Sequence, residues 1–357
     1  MSNQVYINAC FLTQPITGVQ RFAIEISKQL KKLAPSIRFV APSNIIQHEL
    51  ADNLGVEIFG RFSGHLWEQT ELPFYLRKKG RPLLLCPANT APLHYYNKII
   101  TIHDVAFERF PQTFSWKFRL FYKFMIPHLL RSCLYVITVS EFSRTEISRI
   151  YGHDRDNIMV VYNAVNEDFT PKESEHREPY ILAVSSLNYR KNFHTLIKAF
   201  NRLDRTDVKF YIVGGHDSNF ADMTLDLDIE KNKNIVFKGR VNEKELVSLY
   251  SNALCFVFPS LYEGFGIPPL EAQACGCPVL VSKAASLPEV FGDSALYCDP
   301  FSVEDIAEKI SALLDDSTMQ NKLRKRGFEN VKRFSWETSA KQILKIMRQH
   351  NESRSAP

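Results

Sequence analysis

Glu263-Gly264-Phe265-Gly266-Ile267-Pro268-Pro269-Leu270-Glu271 is the stretch on which the reading of this chain turns. An apolar run at 254–260 precedes it and reads as a buried strand. Residues 272–276 follow it and read as a short helix closed by Gly276. Two carboxylates therefore flank a glycine loop at a strand-to-helix turn. Such a turn aims backbone N–H groups at whatever lies above it, and the helix start favours an anion there. A carboxylate beside it accepts hydrogen bonds from hydroxyls but repels phosphate. A ligand with both a polyol and a phosphate part, such as a nucleotide sugar, matches that mixture. A plain turn with a capping Glu would need neither the second Glu nor the Gly-Cys-Pro-Val-Leu-Val strand that follows.

The strand–turn–helix unit recurs on both sides. Residues 180–185 read as a strand, followed by Ser186-Leu187-Asn188-Tyr189-Arg190-Lys191-Asn192 and a helix at 193–200. Adjacent cations at such a turn suit a diphosphate, where elsewhere they would be solvated surface charges. Residues 210–215 form a strand ending in glycines without the GxGxxG spacing of dinucleotide sites. Further strands are expected at 235–241 and 278–281, with a helix at 243–251. In the first half, strands are expected at 5–10, 39–42, 83–87, 99–104, 135–140 and 158–162. A glycine turn at Gly18 feeds a helix at 22–33, and Ser140-Glu141-Phe142-Ser143 reads as a helix cap. The 99–104 strand ends in His103 and Asp104. Ligands collect outside the carboxyl ends of such strands, so His103 is a candidate hydrogen-bonding group or proton relay, with Asp104 orienting it. This alternation predicts an α/β protein with parallel sheets. At 357 residues and 45% hydrophobic content it can bury two cores. The polar run 171–179 reads as a linker. The expected domains are 1–170 and 171–336, with a closing helix at 337–350 and a disordered tail at 351–357.

The 263–271 stretch resembles the E-x7-E motif of glycosyltransferase family 4, retaining enzymes of GT-B fold, and the likeness covers most of the chain. It implies two doubly wound Rossmann-like domains facing a cleft. It also implies that Glu263 holds hydroxyls of the donor sugar and Glu271 the ribose, with the backbone of Gly264, Phe265, Gly266 and Ile267 approaching sugar and phosphates. Gly18 matches the family's first glycine loop, Lys191 its diphosphate lysine, and Val241 the segment that meets the base. Members carry a His near donor sugar and acceptor where this chain has His103. Many also carry an Arg where Ser186 stands, which makes Arg190 the candidate second cation. His65-Leu66-Trp67-Glu68-Gln69 with Leu72-Pro73 resembles the "WEQ…LP" stretch of bacterial polysaccharide transferases. The implied reaction moves a hexosyl group from a nucleotide sugar to a glycan or lipid-linked acceptor, with a lean towards mannose from GDP-mannose. A GT-B epimerase and a silent nucleotide-sugar sensor are the rivals.

Composition narrows the remaining classes. The start lacks a basic region and a long apolar core, so no signal peptide is expected. No apolar run approaches a membrane span, and the cysteines, mostly inside apolar segments, read as buried thiols of a cytoplasmic protein. The seven cysteines are scattered without a zinc spacing. A net charge of +5 suits an anionic ligand or membrane surface without calling for nucleic acid. Residues 110–131 mix aromatics with Lys117, Arg119, Lys123 and Arg131. That segment reads either as a core helix with solvated lysines or as a face for an anionic bilayer. Asp226-Leu227-Asp228 has DxD spacing but sits in a polar segment, so a metal-independent enzyme without a cofactor is expected.

Overall fold

The computed structural model describes residues 4–172, 178–215 and 232–355. Asp226-Leu227-Asp228 and the centre of the expected linker lie outside them. The chain divides into two compact units: 1–105, 120–163 and 335–357 form one, and 106–119 with 164–334 form the other.

The first unit carries a seven-stranded parallel sheet. Its strands are β1 (Val5–Asn8), β2 (Arg38–Ala41), β3 (Val56–Ile58), β4 (Leu83–Cys86), β5 (Lys98–Thr101), β6 (Tyr135–Thr138) and β7 (Ile158–Val160), in the order β3-β2-β1-β4-β5-β6-β7. Buried on both faces, β1 and β4 are apolar almost throughout, and they pair with Ile7 opposite Leu85. The order reverses between β1 and β4, where ligands of doubly wound sheets collect beyond the strand ends. The second unit holds a six-stranded parallel sheet. It comprises β8 (Tyr180–Val184), β9 (Lys209–Val213), β10 (Ile235–Gly239), β11 (Cys255–Phe258), β12 (Val279–Ser282) and β13 (Leu296–Cys298), in the order β10-β9-β8-β11-β12-β13. Its reversal lies between β8 and β11, and the loops after these two strands are the Lys191 and Glu263 loops.

Several elements differ from the sequence expectation. The helix after the Glu263 loop runs Ile267–Ala274, so Glu271 sits on the helix and not in the turn before it. Pro268 and Pro269 start that helix because its first positions need no N–H. Gly18 is itself the first residue of the helix Gly18–Leu33. β5 stops at Thr101 and β10 at Gly239, so His103 and Val241 lie in the loops beyond. The 110–131 segment follows the short helix Ala106–Arg109 and consists of the 3-10 turn Pro111–Thr113 and most of the helix Trp116–Ser132. The last helix runs Trp336–Ser355, where a disordered tail was expected from residue 351. Ser140 does cap the helix Glu141–Tyr151, accepting from the Ser143 N–H at 3.0 Å.

Candidate active site

In the second unit, Glu263 is the centre of a buried charge cluster. It is only 7% exposed. One carboxylate oxygen, Oε1, accepts from Lys191 Nζ at 2.6 Å and from the Ser260 hydroxyl. The other, Oε2, lies 3.7 Å from Arg190 Nη1. Burial pushes the Glu263 carboxyl up, but the Lys191 ammonium and the Arg190 guanidinium more than offset it and hold the group below the usual carboxylate range. Glu263 is thus an anion, fixed at both ends. Ser286 Oγ donates to the Glu263 carbonyl at 2.9 Å and keeps its backbone in place.

The two cations of the facing turn behave differently. The Lys191 side chain is only 11% exposed, and its Nζ lies 5.1 Å from the Phe258 ring centroid. Arg190 is buried and turned inward. Its Nη1 donates to the Tyr262 carbonyl at 2.9 Å, and its own carbonyl accepts from Leu261 N–H. Arg190 therefore ties the two loops together, while Lys191 places its positive charge directly on the carboxylate. Asn192 takes left-handed backbone at φ 60° and joins the turn to the helix Phe193–Arg202. Its Nδ2 donates to the carbonyls of Pro259 and Pro300. Ser186, where an Arg was expected, accepts from Asn188 Nδ2 at 3.0 Å.

Gly266 caps the helix start at φ 101°, and a Cβ there would stand 2.8 Å from Leu287 Cδ2. Only glycine fits both constraints. The two prolines have no N–H, so this helix end offers the N–H groups of Gly266 and Ile267 to a ligand. Phe265 is buried edge-on against Phe334 at 5.4 Å, which anchors the loop. Glu271 is half-buried, and the hydroxyl of fully buried Tyr250 donates to its Oε2 at 3.2 Å. Burial and the adjacent Glu271 carboxylate push the Tyr250 phenol well up, which keeps it a donor. Val241 is half-buried in the loop after β10. Sequence reasoning missed Tyr250, Ser260 and Ser286, whose polar groups carry no motif and meet the glutamates only through the fold.

Gly18 and His103 belong to the other unit, where Gly18 is exposed and His103 buried. His103 Nε2 lies 3.2 Å from the Pro87 carbonyl, and its N–H donates to Asn89 Oδ1 at 2.9 Å. A carbonyl only accepts, so Nε2 carries the proton and Nδ1 is left as an acceptor. The Phe22 ring packs edge-on at 4.9 Å. Burial lowers the imidazole pKa to about 4, against smaller opposing effects of the Pro87 carbonyl and Asp104. His103 is therefore a neutral hydrogen-bonding group near pH 7.

Two parallel-sheet units of this topology, with a fixed carboxylate and lysine at the switch point of the second, define a GT-B glycosyltransferase. Residues 16–169 match the model described as "Glycosyltransferase Family 4" and residues 165–330 the one described as "Glycosyl transferases group 1". The chain belongs to glycosyltransferase family 4. It is 34% identical to the O-antigen chain mannosyltransferase RfbU of Salmonella typhimurium, over 72% of this chain and 73% of the relative. Identity to the O-antigen chain mannosyltransferase B of Escherichia coli is 29%, over 92% of this chain and 95% of the relative. The solved structure of Anabaena HepE in complex with UDP-glucose shares the fold with a TM-score of 0.77 at 17% identity, covering 97% and 99% of the two chains. WaaG, a glycosyltransferase involved in lipopolysaccharide biosynthesis, matches with a TM-score of 0.71 at 14% identity, covering 96% and 99%.

Proposed function

We propose that this glycosyltransferase moves a mannosyl group from a nucleotide-activated mannose, GDP-mannose first, to a growing surface glycan, with retention at the anomeric carbon. The observation that carries the reading is the ionised, buried Glu263 clamped beside Lys191, supported by the mannosyltransferase relatives. An anion fixed in this way accepts hydrogen bonds from sugar hydroxyls. Lys191 stands in for a metal at the leaving diphosphate, where charge grows as the sugar–oxygen bond breaks. Gly266 and Ile267 add N–H groups to the phosphates, and Glu271, oriented by Tyr250, takes the ribose hydroxyls. Val241 lies against the base. Gly18, at the start of its own helix, is a further candidate phosphate contact. His103 accepts a hydrogen bond from a sugar hydroxyl at Nδ1 and stays neutral. The working mechanism is a same-face displacement in which the leaving phosphate helps to take the acceptor proton.

The acceptor is proposed to be lipid-linked, and the enzyme to sit on an anionic membrane surface of the cytoplasm. Among the described residues no helix is long and apolar enough to cross a membrane. The helix Trp116–Ser132, however, leaves Trp116, Leu120 and Phe124 exposed at four-residue spacing, with Lys117 and Lys123 exposed beside them. One helix face therefore offers both aromatic bulk and positive charge.

A panel of nucleotide sugars tests the reading. Donor hydrolysis and transfer to a short mannoside should be fastest with GDP-mannose and persist in EDTA. Release of an epimerised sugar nucleotide without acceptor, tight donor binding without turnover, or activity lost in EDTA and restored by magnesium would overturn the corresponding part.

A further inference from the structure

The stretch around Trp67 has an unusual geometry. Trp67–Glu71 form a π-turn, a wide turn that concentrates at functional sites. All five side chains make hydrogen bonds. Trp67 Nε1 donates to the Phe59 carbonyl, Thr70 donates back to the Leu66 carbonyl, and Glu71 accepts from the N–H groups of Arg61 and Phe62. The remaining two point elsewhere. Glu68, 1% exposed, accepts at Oε1 from Asn8 Nδ2 at 2.7 Å and from Thr90 Oγ1 at 3.0 Å. Asn8 ends β1 and Thr90 lies beyond β4, the two strands at the reversal of strand order. Gln69 grips the same loop further on. Its Nε2 donates to the Ala91 carbonyl at 2.9 Å and its Oε1 accepts from Leu93 N–H at 2.8 Å.

The loop held in this way is the one that holds His103. Pro87 supplies the carbonyl for the ring nitrogen, and Asn89 the acceptor for the main chain. We propose that Glu68 and Gln69 are positioning residues: by clamping residues 87–93 they set the tautomer and orientation of the His103 ring. Packing alone does not account for a buried carboxylate whose second oxygen, Oε2, has no hydrogen-bond partner and lies 3.7 Å from His65 Nδ1. A wide turn is what lets two successive side chains reach both the strand end and the loop.

The inference rests on the role proposed for His103 only for its effect on rate, so its test has a second readout. The His103 ring is followed by NMR titration, and kcat and donor KM are measured separately. Asp104 is the charged neighbour whose field reaches the ring, and it is left unchanged. In Glu68→Ala and in Gln69→Ala the released loop admits water to the ring; relief of burial, the larger effect, outweighs loss of the Pro87 carbonyl contact, so the His103 pKa should rise from about 4 towards its ordinary value near 6.5. Misplacement of the ring should lower kcat on the order of 10²-fold with donor KM little changed. Glu68→Gln keeps an acceptor at Oε1 and should restore both. If Glu68→Ala does not fold, Thr90→Val, which removes one donor and leaves Glu68 in place, should show a smaller shift in the same direction. An unmoved His103 titration in folded Glu68→Ala and Gln69→Ala would overturn the proposal, as would a Glu68→Gln enzyme as impaired as Glu68→Ala. A moved titration with unchanged kcat would leave the clamp standing and remove His103 from the reaction.

Discussion

Acidification should destabilise the first unit through His103. The imidazole titrates near 6.5 in an unfolded chain and at about 4 in the fold, because burial penalises its charged form. Between these values the unfolded chain binds the extra proton, so unfolding is favoured as pH falls from 6.5 towards 4. Above 6.5 both states are neutral and the effect is absent; below 4 both are charged and it is complete. A gap of about 2.5 pH units at about 1.4 kcal/mol each gives about 3.5 kcal/mol lost once both states are fully protonated. Urea unfolding followed by tryptophan fluorescence reads this unit selectively. Trp67 and Trp336 are buried within it, whereas Trp116 is exposed and belongs to the other unit. His103→Gln cannot titrate, and its stability should therefore fall about 2.5 kcal/mol less than wild type between pH 6.5 and 4, where each end of the window finds one state half-protonated. Half-buried His153, also lowered by burial, is present in both proteins and cancels. Parallel pH profiles for the two proteins would refute a buried neutral His103.

Three further outcomes are expected. Glu271→Gln should weaken nucleoside diphosphate binding while Glu263→Gln mainly lowers turnover; equal loss of free nucleotide affinity in the two would reverse their roles. Gly266→Ala must adopt φ near 101° and meet Leu287, so the second unit should lose about 1–3 kcal/mol in thermal or urea unfolding; an unchanged midpoint would show that the turn tolerates a side chain. Binding to anionic vesicles should fall with salt and when Lys117 and Lys123 are both changed to Ser, and fall further with Leu120→Ser and Phe124→Ser; salt-insensitive binding, or none by the wild type, would remove the membrane face.

Much of this molecule is determined by local pattern. Apolar runs such as 255–258 and 279–281 can only be strands buried on both faces, and their alternation with helices dictates parallel sheets. The two glycines between Glu263 and Glu271 and the cations at 190–191 mark strand-to-helix turns wherever the strands end up. Those features were legible because they depend on residues a few positions apart. Tertiary structure decided what they meet. Arg190 and Lys191 are chemically alike and adjacent, yet only packing against the Glu263 loop, 72 residues away, turns one inward to the Tyr262 carbonyl and the other onto the carboxylate. His103 reads as an ordinary titratable histidine until burial beside Phe22 and the Pro87 carbonyl makes it a neutral donor–acceptor. Glu68 reads as the polar centre of the Trp67-Glu68-Gln69 stretch, and only the convergence of β1, β4 and the 87–93 loop makes it a clamp. The physical reason is common to all three: charge state and hydrogen-bond partner depend on solvent exclusion and on neighbours distant in sequence, and neither exists before the chain has folded.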